Sequence, residues 1–86
     1  MIEESSVRKA ILDYLHKVKP IDLSATDLDC YQYFQNGHLD SFGVIGFIIF
    51  LEDEFGVQIY AEDTESLEFR TIGGVIRLIA RKHEQL

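Results

Sequence analysis

An 86-residue chain has room for one small domain and little core to spare for a deep catalytic cleft. A formal charge of -7 with no basic cluster excludes a counterion-releasing nucleic-acid surface, and a single cysteine, Cys30, excludes an internal disulfide or a cysteine-built metal centre. No apolar run is long enough to cross a bilayer, and the acidic start Glu3-Glu4 has the wrong charge for a secretory leader. The expectation is one domain over residues 1–86, monomeric, without membrane insertion, in a reducing cytoplasm.

Val7, Ile11, Leu12, Leu15 and Val18 recur at helical spacing, with Arg8, Lys9, Asp13, His16 and Lys17 opposite them. They predict a first helix over 4–18, favoured at its start by Glu3 and Glu4 and stopped by Pro20. Residues 19–40 hold no sustained period. The turn and capping residues Asp22, Ser24, Thr26, Asp27, Asp29, Asn36 and Gly37 alternate there with isolated apolar anchors, Ile21, Leu23, Leu28, Tyr31, Phe34 and Leu39. This is a long loop pinned to the core, with one short helical turn near 28–33; loops of that length in small domains usually carry function.

Residues 41–56 form the predicted second helix, with Val44, Phe47, Ile48, Leu51 and Phe55 on one stripe and Gly56 as its stop. An extended connector over 57–60 leads to a brief third helix over 62–69. Thr71 caps a fourth helix that buries Ile72, Val75, Ile76, Leu78 and Ile79 and places Arg77, Arg81, Lys82 and His83 in its later turns. The expected fold is all-α: a four-helix bundle, three helices long and one short, with a long first loop.

The second helix is unusual. Phe42, Ile45, Gly46 and Ile49 make a second stripe that the first cannot also bury, so the helix is apolar nearly all round its early turns. Either it is central and packed on both sides, or the second stripe is a partner-docking face. Gly43 and Gly46 each cost about 1 kcal/mol relative to alanine, which points to close approach of another backbone or a ligand. Glu52, Asp53 and Glu54 sit where the helix dipole disfavours acids and are available to a basic partner. At the other end stands Leu39-Asp40-Ser41-Phe42, after the turn signal Asn36-Gly37. A serine at that junction is expected to be exposed beside free backbone N–H groups, a setting that suits a phosphate ester.

Competing readings are weaker. Nothing basic flanks Cys30, and His38, three residues before Ser41, lacks an orienting group and an oxyanion pocket, so an enzyme is not the expectation. His16 and His83 are helix-surface residues. The nearest approach to a calcium loop, from Asp22, has Asp27 where the turn glycine belongs. The alternative that survives is a helical interaction adaptor with no prosthetic group.

The stretch GHLDSFGVIGFIIFLEDEFGVQI, Gly37 to Ile59, resembles the core motif of the acyl and peptidyl carrier proteins, and the helix order on either side agrees with that family. The resemblance implies that 4'-phosphopantetheine from coenzyme A is attached to Ser41 by a phosphopantetheinyl transferase, with Asp40 helping to position magnesium and the coenzyme. It further implies that Phe42, Ile45 and Ile49 dock partner enzymes, with Glu52 and Asp53 at the acidic end of that face. Those partners would be an acyl- or aminoacyl-loading ligase and downstream synthase, transferase or tailoring enzymes. The family serves fatty acid, polyketide and nonribosomal peptide biosynthesis. Leu39 replaces the common alanine, and Gly43 and Gly46 stand where fatty-acid-synthase carriers have acids. The chain is thus more similar to stand-alone peptidyl, aminoacyl, D-alanyl or specialised acyl carriers.

Overall fold

The computed structural model describes residues 3–21, 28–33, 35–37, 39–40 and 42–85. The expectations placed on Asp22, Leu23, Ser24, Thr26, Asp27, Phe34, His38 and Ser41 lie outside the described residues. Among those described, the chain is all-helical: α1 (Glu4–Val18), α2 (Gly43–Phe55), a short α3 (Ala61–Thr64) and α4 (Ile72–Glu84). Single turns of 3₁₀ helix at Leu28–Cys30 and Leu67–Arg70 complete the set. A radius of gyration of 12.0 Å is what a single compact domain of this length should have.

The helical periods place the core. Val7, Ile11 and Leu15 of α1, Phe47, Leu51 and Phe55 of α2, and Ile72, Val75, Ile76, Leu78 and Ile79 of α4 form one buried cluster. The enclosed helix is α4, which packs on α1, on α2 and on both 3₁₀ turns. α2 is therefore not the central member, and its second stripe stays outside. Three rings from different segments close the interior. Tyr33 of the loop, Phe47 of α2 and Phe69 of the second 3₁₀ turn lie with centroids 5.5, 6.3 and 6.1 Å apart. The buried Tyr33 hydroxyl donates to the Phe69 carbonyl. Burial pushes the Tyr33 phenol up, because its charged form would lose hydration.

Two expectations shift. The third helix stops after one turn because the Thr64 and Ser66 hydroxyls donate to the carbonyls of Ala61 and Asp63, each 2.7 Å away, and the backbone at Ser66 turns extended. A separate 3₁₀ turn then carries Phe69 inward and leaves Leu67 exposed. Val18, expected on the inner stripe, is exposed at the last residue of α1, where Lys19 has already turned extended.

α4 begins in a tight seat. The Thr71 hydroxyl accepts from the Gly74 N–H at 3.0 Å, as its capping role requires. Ile72 N–H donates to the Tyr31 carbonyl at 3.2 Å, which brings the loop against the helix start. A Cβ at Gly73 would lie 2.8 Å from the Asp29 Cβ, and one at Gly74 would fall on the Glu68 carbonyl oxygen. Only glycine lets both segments close on the first turn. Gly74→Ala should therefore lower stability by about 1–3 kcal/mol despite the better helix propensity of alanine, measured by urea unfolding.

Ion pairs tie the outer segments to this frame. Arg8 pairs with Asp29, joining α1 to the first 3₁₀ turn. Glu68 takes both guanidinium nitrogens of Arg81 at 3.0 and 2.8 Å, and Lys82 meets Asp63 at 2.8 Å while lying 4.9 Å over the Tyr60 ring. Hydrogen bonding to Arg8 and Arg81 holds the Asp29 and Glu68 carboxyls below their ordinary values. Burial pushes Asp63 up, but its bonds to Lys82 and the Tyr60 N–H outweigh that and leave it lowered. Carboxyls depressed in the folded state contribute stability above their unfolded values of 3.8 and 4.5 and lose it as the pH falls through the folded ones. Stability should accordingly decline from about pH 4.5 downward. Lys82→Met should make that decline shallower in pH-dependent thermal melts.

Candidate functional site

The site grows from the first turn of α2. Leu39 is buried and fixes the end of the loop, and the next residue, Asp40, is exposed. Asp40 Oδ1 accepts from the Phe42 N–H at 3.1 Å and the Gly43 N–H at 2.6 Å, while the Asp40 carbonyl accepts from the Val44 N–H at 3.0 Å. Asp40 thereby does both jobs of a helix N-cap, satisfying orphan donors and placing negative charge at the positive end of the dipole.

This revises two expectations. The helix starts at Gly43 rather than 41, and the donors at positions 42 and 43 are already taken by a carboxylate. An aspartate just before an apolar helix is a capping signal in its own right, and position 40 carries it. Ser41 lies outside the described residues; its neighbours Asp40 and Phe42 are both at the surface. The cap also accounts for Gly43, where a Cβ would stand 3.2 Å from Asp40 Oδ1 and 3.5 Å from Leu39 Cδ2. At Gly46 the close neighbour is the Tyr14 hydroxyl of α1, 3.3 Å from a would-be Cβ. Groups of this chain approach both glycines.

The two faces of α2 separate cleanly. Phe47 is fully buried and Leu51 with it, while Phe42 is 84% exposed, Ile45 56% and Ile49 53%. Gly46 and Asp53 are exposed on the outer side as well. Phe50, which belongs to neither predicted stripe, is half-buried and stacks on Tyr14 with ring centroids 4.5 Å apart, closing the α1 flank. The result is an apolar strip that starts next to position 41 and runs along solvent for two turns.

The acidic end is less uniform than its sequence. Glu52 Oε2 accepts from the Ile59 N–H at 2.9 Å and so anchors the connector after α2. Asp53 and Glu54 are exposed. Gly56 ends the helix in the left-handed region at φ 67°, its N–H donating to the Glu52 carbonyl at 2.9 Å. Of the other residues singled out, Cys30 is exposed, and His16 Nδ1 accepts from the Ile21 N–H at 2.9 Å, closing the turn after α1. No group of three or more His, Cys, Asp and Glu side chains among the described residues is arranged to hold a metal ion.

No protein-family model matches the chain, and no curated protein matches it in sequence.

Two sets of substitutions test this geometry. Asp40→Ala should cost about 1 kcal/mol through loss of the cap, whereas Asp40→Asn, which still accepts the N–H bonds, should cost a few tenths, both read from urea unfolding. Ile49→Glu should change stability by about 0.5 kcal/mol or less, while Phe47→Glu should abolish the cooperative thermal transition by burying a charge.

Proposed function

We propose that this protein is a carrier, a non-enzymatic domain that holds acyl, aminoacyl or peptidyl intermediates on a 4'-phosphopantetheine arm attached to Ser41. Its pattern over Gly37 to Ile59 is similar to that of the acyl and peptidyl carriers. The observation that carries the reading is the junction at the head of α2. An exposed aspartate caps the helix, and an exposed apolar strip of Phe42, Ile45 and Ile49 begins two residues later on the same helix. Position 41 falls between them.

The residues present fit such a group in a specific way. Both neighbours of position 41, Asp40 and Phe42, lie at the surface. The N–H groups of positions 42 and 43 are engaged by Asp40, whose negative charge repels a phosphodiester. With those donors engaged, the group would be held by its covalent bond to Ser41 rather than by the helix end. When bound, the group supplies a thiol that bears the cargo as a thioester.

In loading, the Ser41 hydroxyl oxygen forms a bond to the phosphorus that bears the pantetheine unit of coenzyme A. The bond from that phosphorus to the adenosine bisphosphate breaks, and the serine proton leaves to a base of the transferase. Asp40 has two duties in this scheme: it holds the helix start in register and presents negative charge to the magnesium ion of the transfer complex. Phe42, Ile45 and Ile49 supply apolar contact to a transferase, a loading ligase and later synthase or tailoring enzymes, with Asp53 at the rim for a basic partner. Among the described residues no helix is long and apolar enough to cross a membrane, and we place the carrier in the cytoplasm as a monomer.

Incubation with coenzyme A, magnesium and a promiscuous phosphopantetheinyl transferase should raise the intact mass by one phosphopantetheine. Ser41→Ala should gain nothing. Asp40→Asn should load more slowly at nearly unchanged stability. An unmodified wild-type mass would favour the adaptor reading, for which the same exposed strip would be the binding groove.

A further inference from the structure

We propose that residues 28–31 form a latch on the first turn of α4, which lifts off while the bundle stays folded, and that the ion pair of Arg8 with Asp29 sets how often it does so. The latch is a property of the fold and stands whether or not Ser41 is modified.

Two segments close on the first turn of α4, and they are held unequally. On one side the Glu68 carbonyl lies against Gly74, and the next residue, Phe69, is 1% exposed and accepts the Tyr33 hydroxyl on its carbonyl. On the other side the Asp29 main chain lies against Gly73, but residues 28–30 bury no side chain fully. Asp29 and Cys30 are exposed, and Leu28 and Tyr31 are only partly covered by the core. A segment with so little buried surface belongs to the low-stability end of a fold and opens before the core does.

What fastens this segment is largely polar. Both Asp29 carboxylate oxygens accept from the Arg8 guanidinium of α1, Oδ2 at 3.1 Å. Arg77 of α4 also acts on Asp29, and Glu4 of α1 acts on Arg8. The Tyr31 carbonyl accepts from the Ile72 N–H at 3.2 Å. Ile72 is the first residue of α4, so this N–H has no acceptor within its own helix and the latch supplies one. Beyond the latch Gln32 is exposed and Tyr33 is buried, so the lifted segment stays tethered to a fixed ring.

Native-state hydrogen exchange of the full chain tests this, with the Ile72 amide reporting the latch and the Ile79 amide the interior of α4. The expected result is Ile72 exchange that stays flat across low urea, where Ile79 exchange climbs with the global unfolding equilibrium. Arg8→Met should speed Ile72 exchange about two- to fivefold and leave it flat. About 1 M sodium chloride should speed it in the wild type and not in Arg8→Met. Ile72 exchange that climbs with urea in step with Ile79 would overturn the latch as a separately moving unit. An Ile72 rate unchanged by Arg8→Met, or a salt response equal in the two proteins, would overturn the ion pair as its fastening.

Discussion

The contact on which the rest depends is the joining of Tyr33, Phe47 and Phe69. Each ring comes from a different stretch of chain: the long loop, α2 and the 3₁₀ turn before α4. The three together bring segments far apart in sequence onto one point, and the hydroxyl-to-carbonyl bond between Tyr33 and Phe69 gives that point a single geometry. Because Phe47 must face inward, the rotation of α2 about its axis is fixed. Ile45 and Ile49 are then carried outward with Phe42, whatever their affinity for water. The exposed strip follows directly from the packing of the core.

Exposure of that strip is more informative in this setting than it would be in a loose helix. α4 has its own first turn clamped between Asp29 and Glu68, and ion pairs from Arg8, Arg81 and Lys82 hold the surrounding turns against it. Exposed pairs of this kind contribute little individually; their value here is to fix the positions of short segments that bury few residues of their own. Against such a frame, three large apolar side chains stand in solvent on one helix.

Much of this was legible in the sequence, and the misses have identifiable causes. α1 has the predicted bounds because its apolar spacing, acidic start and Pro20 all agree. Thr71 and Gly56 punctuate α4 and α2 as their residue types require. The split of α2 into a buried and an exposed face was drawn correctly, but which member is central was decided by α4, through the approaches at Gly73 and Gly74 that no local pattern reveals. Tyr33 was passed over because a lone tyrosine in an aperiodic loop carries no burial signal until its hydroxyl finds the Phe69 carbonyl. At the site, the aspartate at position 40 is the acceptor for the first N–H groups of the helix, a capping role its residue type carries in the sequence.

The phenol of Tyr33 also gives the molecule a built-in optical reporter. The chain has no tryptophan and four tyrosines, so its near-ultraviolet absorption comes chiefly from phenol rings. Burial disfavours the phenolate of Tyr33, and its proton is further held by the Phe69 carbonyl. Its phenolate should therefore form later in an alkaline titration than that of a solvent-exposed tyrosine, at a wavelength where nothing has to be added to the protein.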